Sequence, residues 1–304
     1  MEEKSLTARI CAFSRAYHRK KNNVRIFDDQ IAKLLLSEEE YNMTARNMSQ
    51  GIRYFNPTFE GNDEEALRWV VDNQLSPTPL GRAAFAERAL ETAVGYGAKQ
   101  YLILAAGYDT FAYRQPAWSN NIEIYEIDHP ATSIDKSERL RRAELKIPKN
   151  VHFIEADFVM EGWESMLNPN VGFDKHKISF CSMLGMTYYF SKQVFNKFME
   201  KISSIVPINS TIVLDYPDEN YFSEGVGENK HSKLAAAANE KMNACYSYKE
   251  MEEILQKNNF LIFEHLDSAE MTEQYFSDYN KANPLYPMSA QNSVNYCLAV
   301  KKSV

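Results

Sequence analysis

The chain has 304 residues, 44% of them hydrophobic and 25% charged, with a formal net charge of −7. That length and balance suit a folded α/β protein rather than a disordered one, and the acidic surplus argues against a nucleic-acid partner. Four scattered cysteines without a CxxC pair, a start (Met-Glu-Glu-Lys) lacking a leader's apolar stretch, and only strand-length apolar runs lead us to expect a cytoplasmic protein with no disulfides, zinc or membrane span.

Residues 7–21 read as a helix with Ile10, Phe13 and Tyr17 on one face. Its basic end, Arg15 to Lys21, either binds phosphates or is a solvated helix terminus whose cations favour the macrodipole. The pattern predicts a second helix over Phe27–Leu36 and a third over Asp63–Gln74, capped by Asn62 or Asp63. Ser76-Pro-Thr-Pro79 reads as a breaker, and a long helix follows from about Leu80 to Val94, ended by Gly95-Tyr-Gly97. Residues 1–97 are therefore expected to form a helical cap.

From residue 100 strands and helices alternate. Strands are expected at 100–105, 122–127, 151–155, 177–183, 210–215, 260–266 and 294–300. Helices are expected at about 130–145, 161–167, 191–205, 247–258 and 268–278. Seven strands with interleaved helices specify a doubly wound α/β sheet over 98–304, and no linker separates a second domain. The long connection over about 217–246, after strand five, reads as a lid insertion with a helical piece at Ser232–Met242.

The candidate site lies where the first two strands end. Strand one leads into Ala105-Ala-Gly107-Tyr-Asp-Thr110. Gly107 either lets the backbone approach a ligand closely or is a plain turn glycine. A dinucleotide fingerprint needs G-x-G-x-x-G, which this turn lacks, so a ligand without phosphates fits better. Asp109 and Thr110 can cap the next helix. Strand two ends Tyr125-Glu-Ile-Asp128, placing Glu126 and Asp128 19 and 21 residues beyond Gly107 on one strand face. Acids at this distance accept ribose hydroxyls; the alternative is surface acid at a strand end. Strand three ends at Asp157-Phe158, where a carboxylate can meet the exocyclic amine of adenine or cap the next segment. Arg82, opening the long helix, can hold a carboxylate bidentately or be a surface arginine. The histidines have no metal-ligand spacing, and no nucleophile elbow appears. Aromatic residues Tyr216, Tyr221 and Phe222 crowd the fifth strand's end and the lid, where a substrate or a core would take them.

Gln100–Arg114 together with Glu126-Ile-Asp128-His-Pro130 resembles the leucine carboxyl methyltransferase family, in its branch of tetracenomycin-type polyketide O-methyltransferases. Asp109-Thr110, Tyr113-Arg114, Asp128 and Lys136 carry the match, which covers roughly Thr7 to the C-terminus. The resemblance implies a Rossmann-like methyltransferase sheet that binds S-adenosylmethionine. It implies that Arg82 grips the methionine carboxylate, that Ala105 and Gly107 flank that moiety, and that Asp128 takes the ribose. Asp157 and Phe158 would then meet the adenine, and Arg9 stands near an N-terminal basic residue that reaches the cofactor. The sequence departs from the family at Ala105, where the turn's first glycine is expected, and at Leu184, where a glutamate precedes a glycine on strand four.

The expected reaction is O-methyl transfer to a carboxylate or phenol of a small-molecule acceptor. A phenol needs a base and a carboxylate does not; no base stands out, with His18 or a lid tyrosine the candidates. The catalytic residues, acceptor and oligomeric state are left open. Alternatives are a nicotinamide-dependent oxidoreductase and a non-catalytic S-adenosylmethionine-binding protein.

Overall fold

The computed structural model describes residues 5–222, 242 and 244–303. Seven strands form one mixed sheet: β1 (Gln100–Leu104), β2 (Glu123–Asp128), β3 (Val151–Glu155), β4 (Ser179–Met183), β5 (Thr211–Pro217), β6 (Phe260–Leu266) and β7 (Val294–Lys301). Their order is β3-β2-β1-β4-β5-β7-β6. The first five run parallel, and β7 lies antiparallel between β5 and β6. All seven strands fall where alternation and apolar runs predict them.

Period-two alternation distributes each strand between two apolar layers. On β1, Tyr101 and Ile103 face one layer, while Leu102 and Leu104 face the other. The long helix α5 (Pro77–Gly95) covers the first layer with Leu80, Phe85, Ala89 and Leu90. Helix α8 (Lys192–Ile205) covers the second with Phe195, Phe198, Met199 and Ile202. Strand order reverses between β1 and β4, so the chain leaves these adjacent strands in opposite directions and opens a crevice at their carboxyl ends.

The N-terminal residues form a helical layer with its own core. It contains α1 (Leu6–Lys21), α2 (Glu38–Gln50), α3 (Ile52–Phe55) and α4 (Asp63–Val70), which runs into a π turn at Val71–Leu75. Phe13 and Tyr17 of α1 pack with Tyr41 of α2 and Val70 of α4. The remaining helices are α6 (Phe111–Arg114) after β1, α7 (Pro130–Arg142) after β2, α9 (Tyr248–Lys257) before β6, and α10 (Ser268–Met271) and α11 (Ser277–Ala282) before β7.

Several sequence expectations are corrected. Phe27–Leu36 is not an α-helix; only Ala32–Leu35 makes a short 3-10 turn. Asp29 is the cause. Its side chain turns inward and takes the N–H groups of Ile31 and Ala32 at 3.0 and 2.9 Å, together with Arg15 and Thr110. The expected breaker at Ser76–Pro79 starts α5 instead, because a proline in the first turn gives up no intrahelical hydrogen bond. The segment around 161–167 holds only a 3-10 turn, Trp163–Met166. The expected helix at 268–278 is broken by a π turn at Thr272–Phe276. The lid helix expected at Ser232–Met242 lies outside the described residues, apart from Met242.

The basic end of α1 is taken up internally. Arg19 meets Asp28 at 2.9 Å and Lys21 meets Glu64 at 2.5 Å. Both pairs are partly exposed, as in the solvated helix terminus of the two sequence readings.

One buried acid in this layer lacks full compensation. Asp72 meets Arg68 at 3.2 Å, but its Oδ1 is buried without a hydrogen-bond partner among the described residues. Burial raises its pKa to about 6, against the opposing pull of Arg68. A carboxyl with a raised folded pKa binds its proton more tightly when folded. Stability therefore falls as pH rises from about 4 through 6. We expect Asp72→Asn to gain about 2–3 kcal/mol on the wild type between pH 4 and pH 7 in urea unfolding. A constant difference across that range would show that Asp72 does not ionise against the fold.

Candidate cofactor site at the strand switch

A cavity of about 780 Å³ opens at the carboxyl ends of β1 and β4. Ala105, Gly107 and Asp109 line it from the β1 turn, Asp128 from β2, and Leu184 and Gly185 from the β4 turn. Arg82 enters from α5, and Ser5 to Cys11 of α1 and its approach close one side.

The β1 turn is the most constrained part. Ala105 and Gly107 both have positive φ, 55° and 47°. For Ala105 this left-handed conformation costs about 1 kcal/mol or more, so the surroundings must hold it. They do so from several directions. The Asp128 carboxylate accepts the Gly107 N–H at 2.5 Å, and its other oxygen accepts the His129 N–H at 2.7 Å. The Ala106 N–H donates to the Ile127 carbonyl at 3.2 Å. Next in the chain, Tyr108 is held at both ends: Arg15 donates to its carbonyl at 2.6 Å, and its hydroxyl donates to Asp135. The Arg139 guanidinium covers its ring at 4.7 Å and reaches Glu40 of α2 through both Nη atoms.

A second network ties this turn to the N-terminal layer. Asp29, fully buried, takes Arg15 at 2.8 Å and the Thr110 hydroxyl at 2.8 Å, with Arg114 at 3.6 Å. Burial alone would raise this carboxyl, but the two arginines hold it below the usual carboxylate range. Arg114 also pairs with Glu87 of α5. In the sequence, Asp109-Thr110 and Arg114 carry the family resemblance, with Asp109 and Thr110 as candidate helix caps, whereas Asp29 was missed.

The predicted cofactor residues separate into two groups. Arg82, Ala105, Gly107, Asp128 and Arg9 all line the cavity. Glu126, Asp157 and Phe158 do not. Glu126 is corrected from ribose contact to structural pair. Its carboxylate points into the core, 2.8 Å from Lys136 Nζ and 3.0 Å from the Tyr113 hydroxyl, with both charged side chains 2% exposed. Burial raises its pKa against the opposing pull of Lys136. The Asp157 Oδ1 takes the Val159 N–H at 3.0 Å, as a turn cap would. The Phe158 ring packs edge-on against Trp163 and Phe198.

The base candidates are also corrected. His18 is fully buried away from the cavity, and its Nε2 accepts the Ile26 N–H at 3.0 Å. Burial, with Arg25 and Arg68 nearby, lowers its pKa to about 4. Tyr216 is buried on the opposite sheet face, bonded to His265 at 2.8 Å. Tyr221 does line the cavity, beside Tyr188, while Phe222 packs edge-on against it. Among the described residues no histidine, lysine or glutamate lines the cavity. No group of three His, Cys, Asp or Glu side chains among them is placed to hold a metal. No helix among them is long and apolar enough to cross a membrane.

The site suits a cofactor with one carboxylate and one ribose. Arg9 Nε is buried without a hydrogen-bond partner among the described residues, and Arg82 meets Asp215 only at 3.4 Å. Both guanidinium groups therefore retain donors toward the cavity, and Asp128 retains acceptor capacity.

Comparison with known proteins agrees with this geometry. Residues 8–203 match the family model described as leucine carboxyl methyltransferase. A Bacillus subtilis (strain 168) protein described as "Putative S-adenosyl-L-methionine-dependent methyltransferase YktD" is 40% identical over 308 aligned residues, covering 99% of each chain. Among solved structures, a DUF574 family protein from Streptomyces avermitilis MA-4680 superposes with a TM-score of 0.60 at 12% identity, covering 98% of each chain. A "putative methyltransferase" from Thermobifida fusca YX gives a TM-score of 0.56 at 13% identity, covering 99% of this chain and 96% of that one. At such identities these two structures speak to the fold.

The reassignment of Glu126 can be measured. Lys136→Met strands its carboxylate in the core and should cost about 3–5 kcal/mol in urea unfolding. Adding Glu126→Gln should recover most of that loss. A mild effect of the single variant would mean that Glu126 reaches solvent or ligand and is not a buried pair.

Proposed function

The chain belongs to the leucine carboxyl methyltransferase family and is an S-adenosylmethionine-dependent methyltransferase; we propose that its acceptor atom is an oxygen, on a carboxylate or a readily ionised phenol of a small molecule. Family membership removes the nicotinamide oxidoreductase reading. The observation that carries the oxygen proposal is the composition of the cavity wall. Among its described residues it holds arginines and aspartates but no histidine, lysine or glutamate.

An acceptor that is already anionic needs no proton removed. A carboxylate meets that condition at neutral pH, whereas a phenol starts at a pKa of about 10. Among the described residues, the titratable side chains of the wall are arginines, aspartates, tyrosines and Cys11. Tyr188 is fully buried, which raises its hydroxyl well above the usual value, so it stays protonated.

S-adenosylmethionine supplies a methyl group already activated on a sulfonium, so the chain's own contribution is binding, orientation and exclusion of water. In this reading Arg82 holds the methionine carboxylate and the backbone of Ala105 to Gly107 lies along that end. Asp128 accepts from the ribose. Register supports an adenine position farther out, at Asp157 and Phe158. Asp128 pairs with Glu155 across β2 and β3, and Asp157 and Phe158 come just beyond it, after Ala156. The helical cap over 1–97 and the core over 98–304 act as one catalytic unit; the Arg15–Asp29–Thr110 contacts across them support this.

S-adenosylhomocysteine at 100 times its Kd should stabilise the protein by about 2.7 kcal/mol in thermal unfolding. Asp128→Ala should lose most of that shift while the ligand-free variant keeps its circular dichroism; an unchanged shift would remove Asp128 from the ribose site. With methyl-labelled cofactor and a panel of acids, phenols and amines, label should enter oxygen esters or ethers. Label carried only by nitrogen products would overturn the oxygen assignment.

A further inference from the structure

Behind Arg82 lies a carboxylate that the reading above does not use. Asp215 of β5 is fully buried and does not itself line the cavity. Its Oδ1 accepts the Gly185 N–H at 2.6 Å. Its Oδ2 accepts the Tyr188 hydroxyl at 3.0 Å and lies 3.4 Å from Arg82 Nη1. Its carbonyl accepts the Thr187 hydroxyl at 2.6 Å. Three residues of the turn after β4 and the cavity's arginine thus converge on one side chain and its backbone.

Gly185 shows how closely these parts fit. Its φ is 71°, and a Cβ added there would collide with Arg82 Nη1 and lie 3.0 Å from Cζ. The guanidinium therefore rests on bare backbone, with Asp215 at one side and the Cys11 Sγ 3.5 Å from Nη2. The residue before Gly185 is Leu184, where the family is expected to carry a glutamate. The carboxylate that organises this turn comes instead from the neighbouring strand.

We propose that Asp215 is a positioning residue for the cofactor's amino-acid end, aiming Arg82 across Gly185 toward the methionine carboxylate. This rests on the reading of Arg82 as the carboxylate ligand. An asparagine could still accept the Gly185 N–H through its oxygen. Its amide nitrogen would then present a donor where Arg82 and Tyr188 also donate. Arg82 would lose its buried partner and the orientation that partner enforces. The nucleoside end, held at Asp128 on the other side of the switch, would be untouched.

The test compares two ligands by titration calorimetry: S-adenosylhomocysteine, and 5′-methylthioadenosine, which has the same nucleoside and a thioether but no amino-acid carboxylate. Asp215→Asn should weaken S-adenosylhomocysteine about tenfold or more, the effect of a lost charge-assisted contact, and leave 5′-methylthioadenosine within about twofold. Equal losses for both ligands, no loss, or tighter S-adenosylhomocysteine binding would each overturn the proposal. Methylthioadenosine binding also reports that the variant is folded. If Asp215→Asn is insoluble, Tyr188→Phe removes one donor to Oδ2. It should weaken S-adenosylhomocysteine alone, by about threefold; an unchanged ratio of affinities overturns the proposal. Arg82→Met separates the two failures. If it leaves the ratio unchanged, the carboxylate reading of Arg82 fails and the proposal falls with it. If it collapses the ratio while Asp215→Asn does not, only the role of Asp215 is lost.

Discussion

Two buried-side carboxylates, each gripping the N–H of a glycine on the neighbouring strand's turn, hold the site open. Asp128 at the end of β2 takes Gly107 after β1, and Asp215 in β5 takes Gly185 after β4. Both glycines have positive φ. The pairs lie on either side of the switch between β1 and β4, where the sheet topology already parts the chain. A turn in the left-handed region has no intrinsic reason to stay there, and an N–H aimed at a fixed acceptor supplies one. Because each acceptor sits on a strand, the sheet register sets where the turns lie. The cavity's dimensions follow from that register.

The N-terminal layer completes the enclosure. Its link to the core is electrostatic as much as apolar. Asp29 gathers Arg15, Thr110 and Arg114, while Arg139 joins Tyr108 and Asp135 to Glu40. These groups are buried and mutually paired, so removing one member leaves another charge without compensation. The same side chains that fasten α1 and α2 to the sheet also clamp the turn carrying Gly107. Enclosure of the cavity and rigidity of the Gly107 turn are consequently a single property of the fold.

Much of this was legible in the chain. The central strands, buried on both faces, give short apolar runs, and all seven strands were read at nearly their observed limits. The acid at the end of β2 was legible because its spacing from Gly107 follows from one strand–helix–strand unit. Helix α2 was not, because its sequence, Glu-Glu-Glu-Tyr-Asn-Met-Thr-Ala-Arg-Asn-Met-Ser-Gln, buries only Tyr41, Thr44 and Ser49 and shows no apolar stripe. Its capping box, Ser37 with Glu40, was the overlooked signal. Strand alternation placed Glu126 and Asp128 on one face, but it could not show that Lys136 would come down from α7 to claim the first. Asp29 and Asp215 were missed for the same reason: each meets groups from distant segments, Asp29 taking Thr110 81 residues away and Asp215 taking Arg82 133 residues away. Pairings of that kind are decided by tertiary packing and leave no local pattern.

The most direct measurement is a crystal structure of the protein with S-adenosylhomocysteine. The account predicts the ribose hydroxyls within hydrogen-bond distance of Asp128, the amino-acid carboxylate on Arg82, and the Gly107 N–H still held by Asp128. A ribose bound at Glu126 with the Lys136 pair broken, or a nucleoside seated away from the β1–β4 switch, would contradict it.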